Sequence, residues 1–282
     1  MPTLYVSDLD GTLLQPDARL SAETTRLLNE SIASGKLFTI ATARTPATVA
    51  DIIRGVDMRI PAIVMTGGSV WNPYDGQYSG VRHLDRKAAE MLVDTYRATG
   101  TSSFIFTLID NVIDIYHVGG PLNELQRQFV EERKNSPYKR FHISDDGSDT
   151  LPPDMSKVIL AYAMLPDAKA AETYALTSEI PHLRPQYYHD IFGPEIGILE
   201  AFAEDATKAN AVRELARRMG ADRVVCFGDN VNDLPMMRAA DLAVAVENAL
   251  PEVKQAADIV IGPNTSDAVA RFIHDDQSSF ES

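Results

Sequence analysis

The chain has almost no cysteine: Cys226 is the single one among 282 residues. One cysteine cannot form an intramolecular disulfide, so disulfide-stapled scaffolds and cysteine-based zinc sites are excluded. The neighbouring Val224, Val225 and Phe227 are apolar. This setting predicts a buried free thiol in a reducing compartment.

Basic residues are scarce relative to acidic ones. The chain has 26 lysines and arginines against 40 aspartates and glutamates, which gives a net charge of -14. Such an excess repels polyanions, so we expect neither nucleic acid nor an anionic membrane as a partner. A small anion can still bind in a local positive pocket.

Long apolar runs are missing as well. No stretch approaches the roughly 20 apolar residues that a membrane helix needs. The first residues have neither the basic nor the apolar segment of a secretory leader, since Asp8 and Asp10 interrupt the early apolar stretch. We therefore expect a cytoplasmic protein without a cleaved leader.

Apolar residues nevertheless make up 45% of the chain, enough for a core in one large domain or two ordinary ones. Near both ends, short apolar runs alternate with amphipathic segments, which is typical of parallel strands joined by helices. Strands are predicted at residues 3–7, 37–41, 60–65, 196–201, 223–227, 242–246 and 258–261. Capping residues predict helices from Ser21 to Gly35, from Thr45 to Gly55 and from Thr207 to Met219.

The pattern changes in the middle of the chain. Two apolar runs at 104–109 and 112–118 meet at Asp110 and Asn111, a sequence typical of an antiparallel hairpin. Helices at 86–99, 121–134 and 166–178 and strands at 157–164 and 183–189 complete an α+β unit. We therefore predict a doubly wound parallel α/β core in residues 1–82 and 192–282, with residues 83–191 inserted as a separate α+β domain.

The first segment that indicates chemistry runs from Asp8 to Thr12, directly after the first predicted strand. On a turn at the carboxyl end of a strand, the carboxylates of Asp8 and Asp10 can approach one metal ion. The alternative is an ordinary surface turn, because Asp-Gly pairs are common there.

The second segment runs from Gly228 to Asp233 and again follows an apolar strand. Its acidic and amide side chains suit a hard cation that prefers oxygen ligands. Asp233 has a competing interpretation as the cap of a helix that starts at Leu234. One acidic turn after a strand can arise by chance, but two such turns at the carboxyl ends of two strands favour a shared site. Ligands bind at this edge of open α/β sheets.

Together these segments resemble the motifs of the haloacid dehalogenase superfamily, in particular the Cof-type phosphatases, which carry a large α/β cap. The similarity spans nearly the whole chain. It implies a Rossmann-like core with an inserted cap, and Mg²⁺-dependent hydrolysis of small phosphorylated metabolites through an aspartyl-phosphate. By this resemblance Asp8 is the nucleophile, and Asp10 protonates the leaving oxygen and then activates water.

The resemblance also assigns the other site residues. Phosphate-binding positions are Leu9, Thr42, Ala43, Lys208 and Asn232. The metal ligands are Asp8, Asp229 and the main-chain carbonyl of Asp10, and Asp233 fixes the lysine or the metal shell. The chain departs from the family pattern at Ala43 and Glu247, where relatives often have glycine, and at Gly67, where they often have asparagine.

Charge balance supports these roles independently. A phosphate ester dianion repels an attacking carboxylate, so a metal ion and a lysine must neutralise charge before attack. Lys208 opens a helix, where the macrodipole disfavours a cation unless an anion binds nearby. The ordinary alternatives are a solvated first-turn lysine for Lys208 and a strand-end residue that satisfies the backbone for Thr42.

Several points stay open at this level. Arg44 could contact a phosphate or a sugar, or only solvate the following turn. The insertion contains His117, His182 and His189, which are candidates to face a substrate. The substrate ranges over sugar phosphates, cofactor phosphates and related metabolites, and the oligomeric state is unknown.

Two other functions also use Asp8. A phosphomutase of the same superfamily would return the phosphoryl group to a second hydroxyl. A non-enzymatic receiver-like module would keep a persistent phosphoryl group on Asp8, and Asp10 argues against it because an acid/base at that position speeds hydrolysis.

Overall fold

The computed structural model describes residues 2–144, 146–190 and 193–276. The chain divides into two compact units. The first, called the core unit here, comprises Met1–Gly80 and Thr207–Ser282, and the second, called the inserted unit, comprises Val81–Ala206.

The strands of the described residues, in chain order, are β1 (Thr3–Ser7), β2 (Leu37–Ile40), β3 (Ala62–Val64), β4 (Ser69–Trp71), β5 (Tyr78–Ser79), β6 (Ser103–Ile109), β7 (Val112–Val118), β8 (Lys139–His142), β9 (Val158–Pro166), β10 (Leu183–Asp190), β11 (Gly193–Ala203), β12 (Arg223–Gly228), β13 (Leu242–Val246) and β14 (Ile259–Ile261).

The α-helices in the same part of the chain are α1 (Ala22–Ala33), α2 (Pro46–Ile52), α3 (Arg86–Thr99), α4 (Glu124–Arg133), α5 (Asp167–Thr177), α6 (Lys208–Met219), α7 (Leu234–Met237), α8 (Pro251–Ala256) and α9 (Ala268–Asp275). In the described ranges, no helix combines the length and the apolar character needed to cross a bilayer.

The core unit contains a parallel five-stranded sheet in the order β14-β13-β12-β1-β2. The chain leaves β1 toward β2 on one side and leaves β12 toward β13 and β14 on the other, so the direction of winding reverses between β1 and β12. In doubly wound sheets the crevice for a ligand lies at this reversal, outside the carboxyl ends of the strands. The predicted doubly wound core is confirmed.

A small antiparallel sheet, β3-β4-β5, continues from the edge of the parallel sheet. The link is a single parallel bridge between Ala41 and Ile63. The loops after β1, β2 and β3 therefore leave from neighbouring positions.

Local capping explains where the core helices begin and end. The Ser21 hydroxyl accepts a hydrogen bond from the Thr24 N–H at 2.8 Å, and the Thr207 hydroxyl accepts one from the Asn210 N–H at 3.1 Å. Gly220 ends α6 in the left-handed conformation, with φ of 63°. These are the caps expected from the sequence.

The inserted unit contains a mixed six-stranded sheet in the order β10-β11-β9-β6-β7-β8. The β6–β7 turn uses Asp110 and Asn111 at φ of 50° and 60°, a conformation that these side chains tolerate and that matches the twist of a hairpin. One face of the sheet packs against α3 and α5 around residues such as Leu92 and Leu199. The predicted hairpin is present.

The structure places one predicted core strand in the inserted unit. Strand β11 pairs antiparallel with β9 and β10, so the inserted unit extends to Ala206. The reason is that an apolar run shows burial but not the strand with which it pairs. The predicted boundary at residues 191 and 192 itself lies outside the described residues. The short strands β4, β5 and β8 were not predicted, because two to four residues carry too little periodicity.

Candidate active site

Two charged side chains from distant parts of the chain meet at the carboxyl end of β1. Asp8 follows β1, and its N–H donates to the Phe227 carbonyl at 3.0 Å. Lys208, the first residue of α6, donates from Nζ to Asp8 Oδ1 at 2.5 Å and to Asp233 Oδ1 at 2.7 Å. The Lys208 side chain is 1% exposed. The lysine is therefore a buried bridge between two carboxylates and not a solvated surface residue.

The turn after β12 orients the second carboxylate of this bridge. Asp233 Oδ2 accepts hydrogen bonds from the N–H groups of Asp229 at 3.1 Å and Asn230 at 3.2 Å. A Cβ on Gly228 would lie 2.6 Å from the Asp233 Cβ, so only glycine allows the turn to close this tightly. Asp233 thus binds the lysine with one oxygen and the turn with the other.

Asp229 is held by the first motif, across a gap of 217 positions in sequence. The Thr12 hydroxyl donates to Asp229 Oδ1 at 2.8 Å. Gly11 has φ of +79°, and a Cβ there would lie 2.4 Å from Asp229 Oδ2. The two motifs are therefore in direct contact. Thr12 was not predicted as a site residue, although it stands two places after Asp10 in the same motif.

Burial and charge shift the pKa values of side chains in this cluster. Burial raises the pKa of Asp8 from its ordinary 3.8 to about 7, against the opposing charge of Lys208. Burial likewise raises the pKa of Asp229 to about 6. The pKa of Lys208 rises despite burial, because the Asp8 and Asp233 carboxylates outweigh it.

The residues present fit a divalent metal ion. Asp8, Asp229 and Asp233 each place a carboxylate oxygen within 4.8 Å of the others. When all three carboxylates are ionised, they and the one ammonium of Lys208 leave two negative charges in a mostly buried site. Oxygen ligands and this charge suit Mg²⁺, which keeps several waters and needs few protein ligands.

We expect Mg²⁺ to stabilise the protein in a pH-dependent way. The pKa values of Asp8 and Asp229 are raised to about 7 and about 6, so the folded protein holds protons that the unfolded chain has lost. In metal-free protein these groups lower the free energy of unfolding as pH rises from about 4 to about 7. Mg²⁺ at 10 to 100 times its Kd should add about 1 to 3 kcal/mol at pH 8.

Thermal unfolding with Mg²⁺ or EDTA, at pH 5 and at pH 8, measures this effect. The Mg²⁺ shift should be largest at pH 8 and should fade below about pH 6, where protons compete for Asp229. A shift of equal size at both pH values would contradict the carboxylate site.

We expect Gly11→Ala to displace the Asp229 carboxylate, in addition to straining the backbone at residue 11. The added Cβ would meet the Asp229 carboxylate, whereas at Gly35, with φ of +99°, nothing lies within 4 Å of a Cβ. Both substitutions should cost about 1 kcal/mol of stability. Only Gly11→Ala should also weaken Mg²⁺ binding, by about 10- to 100-fold. Calorimetric Mg²⁺ titration of both variants tests this, and equal affinities would be the contrary result.

Asp10 lies outside the buried cluster and pairs with Arg44. Arg44 Nε donates to Asp10 Oδ2 at 2.7 Å, and Nη2 donates to Oδ1 at 2.6 Å. The Asp10 side chain is 53% exposed and that of Arg44 is 29% exposed. Asp10 therefore reaches solvent beside the buried Asp8.

The loop after β2 carries Thr42, which is buried. Its hydroxyl accepts from the Arg44 N–H at 3.2 Å, and its carbonyl accepts from the Thr66 N–H at 3.0 Å. Met65 and Thr66 have φ of 52° and 56°, an unusual left-handed pair for these residue types. The left-handed conformation of this pair was not predicted, because neither residue type favours it.

Gly67 lies at a position where the structure leaves no room for a side chain. It has φ of +89°, and a Cβ there would lie 2.2 Å from the Thr207 carbonyl oxygen and 2.8 Å from the Lys208 nitrogen. The turn after β3 therefore touches the start of α6. Glu247 is exposed, its carbonyl accepts from Lys254 Nζ at 3.0 Å, and nothing in the structure explains its presence.

Leu9, Ala43 and Asn232, the other predicted phosphate-binding residues, differ in which of their atoms a ligand can reach. The Leu9 side chain is fully buried, so only its backbone is available to a ligand. Ala43 and Asn232 are exposed. Within the described ranges, Asn232 makes no hydrogen bond or ion pair with the cluster around Lys208.

The histidine candidates all have partners in the inserted unit. Buried His117 contacts the Ser102 hydroxyl through Nε2 at 2.8 Å. His182 lies 3.2 Å from a Glu204 oxygen, and His189 lies 2.9 Å from an Asp167 oxygen. In the core unit, Cys226 is a buried free thiol, as predicted.

The sequence model of the haloacid dehalogenase-like hydrolases matches residues 5–273. The chain belongs to this family. The predicted family membership is therefore confirmed, and with it the prediction of an enzyme of the hydrolase class. The core with its additional mixed sheet has the fold expected for a haloacid dehalogenase-like hydrolase.

Individual relatives align over nearly their full length. The chain is 25% identical to the 5-amino-6-(5-phospho-D-ribitylamino)uracil phosphatase YitU of Bacillus subtilis, covering 96% of each protein. It is 25% identical to the pyridoxal phosphate phosphatase YbhA of Escherichia coli, covering 95% of this chain and 96% of that one. The crystal structure of TM0651 from Thermotoga maritima superposes with a TM-score of 0.75 at 23% identity, covering 99% and 98% of the two chains. This last likeness supports the fold alone.

Proposed function

We propose that the protein is a Mg²⁺-dependent phosphatase that hydrolyses small phosphomonoesters, sugar or cofactor phosphates, through an aspartyl-phosphate on Asp8. Its class, a phosphoric monoester hydrolase, is confirmed by the family match and by relatives named as phosphatases. The observation that carries the mechanism is the buried contact of Lys208 with Asp8 and Asp233, next to Asp229.

In the proposed first step, a carboxylate oxygen of Asp8 attacks the phosphorus atom. The bond from phosphorus to the leaving oxygen breaks, and Asp10, which enters this step protonated, gives that oxygen its proton and becomes a carboxylate. In the second step, a water oxygen attacks the same phosphorus while Asp10 takes the water proton. The bond between phosphorus and Asp8 then breaks, which releases inorganic phosphate and restores the carboxylate.

The buried ammonium of Lys208 counters the charge that Asp8 and the phosphoryl oxygens bring together. Asp233 holds Lys208 in place and is itself fixed by two backbone N–H groups. Asp8 and Asp229, with the carbonyl of Asp10, would hold Mg²⁺. When bound, Mg²⁺ supplies Lewis-acid polarisation of the phosphoryl group. Leu9, Thr42, Ala43 and Asn232 are proposed to bind phosphoryl oxygens.

We further propose that the inserted unit selects the substrate. Chemistry at phosphorus is common to all phosphomonoesters, so discrimination must come from groups that contact the rest of the molecule. The named substrates of the relatives, a ribityl-substituted pyrimidine phosphate and pyridoxal phosphate, are the first candidates to test. A cytoplasmic location fits such small metabolites and stays a prediction.

A phosphate-release screen of the purified protein tests the proposal. The panel should contain some tens of sugar, cofactor and nucleoside phosphates and one aryl phosphate, each with Mg²⁺ and with EDTA. We expect release that requires Mg²⁺ and a preference for a subset of the panel. Release of phosphate from no compound, or equal release in EDTA, would contradict the proposal. Phosphoryl transfer to a second hydroxyl in place of release would indicate a mutase.

A further inference from the structure

The Asp10 carboxylate forms a bidentate hydrogen-bonded pair with Arg44. Its Nε and Nη2 donate to the two carboxylate oxygens of Asp10 at 2.7 and 2.6 Å. Two parallel hydrogen bonds of this kind fix the plane of a carboxylate as well as its position. No other side chain in the described ranges hydrogen-bonds Asp10. The orientation of this half-exposed carboxylate therefore depends on Arg44.

The backbone of Arg44 is itself held on both sides. Its N–H donates to the Thr42 hydroxyl at 3.2 Å, and its carbonyl accepts from the Met65 N–H at 3.0 Å. Met65 and Thr66 adopt the left-handed conformation, which costs free energy and persists only where surrounding contacts enforce it. Arg44 is thus anchored by the loops after β2 and β3, whereas Asp10 lies on the loop after β1.

Proton transfer requires this kind of anchoring. An exposed aspartate samples several side-chain rotamers, and a displacement of about 1 Å can lower the rate of transfer by about 10²-fold. The Arg44 and Asp10 side chains are 29% and 53% exposed, so solvent screens much of the contribution of their pair to folding, whereas the orientation that it gives the carboxylate next to the nucleophile is not screened.

We propose that Arg44 is a positioning residue that holds the Asp10 carboxylate for proton transfer to the leaving oxygen and from water. This rests on the proposed phosphatase function. Arg44 acts through Asp10 and does not need to touch the substrate. Lysine cannot replace it, because an ammonium lacks the planar pair of donors.

A double-mutant cycle tests the proposal. We would measure kcat and KM for the wild type, Arg44→Ala, Asp10→Asn and the double variant, with the best alkyl phosphate from the screen and with 4-nitrophenyl phosphate. Arg44→Ala should lower kcat on the alkyl phosphate by about 10- to 100-fold. The loss should be smaller on 4-nitrophenyl phosphate, whose leaving group needs no proton.

The decisive comparison is made in the Asp10→Asn background. In that background Arg44→Ala should lower kcat by less than about 2-fold, because the Asp10 carboxylate that Arg44 positions is already absent. Arg44→Lys should restore little of the lost activity. Added guanidine should restore part of it in Arg44→Ala but none in the double variant. KM and inhibition by inorganic phosphate should stay within about 2-fold of the wild type.

Arg59→Ala is the matched control, since Arg59 also donates through Nε and Nη2 to one aspartate, Asp57, on the surface of the core unit. It should leave kcat unchanged, and both arginine variants should unfold at the wild-type temperature within about 4 °C.

Three results would overturn the proposal. The first is an equal loss from Arg44→Ala with and without Asp10. The second is a raised KM and weaker phosphate inhibition at unchanged kcat, which would make Arg44 a phosphate ligand. The third is a loss of folding that accounts for the loss of activity. A wild-type protein that hydrolyses no phosphate ester overturns the proposed function as well, so the two failures are distinguishable.

Discussion

Asp8→Asn is expected to abolish turnover, with kcat lowered by about 10⁴-fold or more. The amide keeps the shape of the side chain but is not a nucleophile, and it removes one negative charge from the proposed metal site. Its oxygen can still accept the hydrogen bond from Lys208, which is 2.5 Å from Asp8 Oδ1 in the wild type. Loss of activity should therefore occur without loss of the fold.

The free energy of unfolding separates these two effects. The carboxylate of Asp8 has a pKa raised to about 7 by burial, so its charge opposes folding at neutral pH. Removal of that charge should leave stability within about 1 kcal/mol of the wild type. The measurements are kcat for phosphate release and denaturant unfolding, in protein checked by mass spectrometry for deamidation.

Asp51→Asn is the matched control, because Asp51 is exposed and pairs with Arg54 on the surface. It should have wild-type activity. Retention of more than a few per cent of the activity in Asp8→Asn, in protein free of deamidation, would show that Asp8 is not the nucleophile.

Lys208→Met is expected to affect catalysis and stability together. Methionine keeps most of the volume of the lysine but removes the charge that lies between Asp8 and Asp233. Loss of one preorganised electrostatic contact should lower kcat/KM by about 10²- to 10³-fold on every phosphate ester. The ranking of substrates should survive, since the lysine is proposed to act on the phosphoryl group that all of them share.

The stability loss should depend on pH. Removal of one partner of a buried ion pair leaves uncompensated charge and costs about 3 to 5 kcal/mol. The pKa of Asp8 is already raised to about 7 and should rise further without the lysine, so the carboxylate takes up a proton at lower pH. The loss measured in EDTA should therefore be larger at pH 8 than at pH 5.

Urea unfolding at the two pH values and a panel of kcat/KM values measure both effects. Lys87→Met is the matched control, because Lys87 also lies in the first turn of a helix but is exposed. It should change neither quantity. A Lys208→Met protein that reorders the substrates, or whose loss of stability relative to the wild type is the same at pH 5 and pH 8, would contradict the assigned role.

The local elements and the two acidic motifs could be predicted from the sequence. The caps at Ser21 and Thr207, the turn at Asp110 and Asn111 and the alternation of apolar runs each depend on residues a few positions apart. The acidic turns that follow β1 and β12 were therefore recognisable. Because parallel strands end at one edge of a sheet, their proximity could be predicted too.

The contacts between these parts could not be predicted in this way, since they depend on the packing of distant elements. The Lys208 bond to Asp8 spans 200 positions, and the Thr12 bond to Asp229 spans 217. The pairing of Arg44 with Asp10 and the pairing of β11 with β9 are of the same kind. No local signal encodes such contacts, because a side chain selects its partner only after packing has set the distance and direction between the elements that carry them.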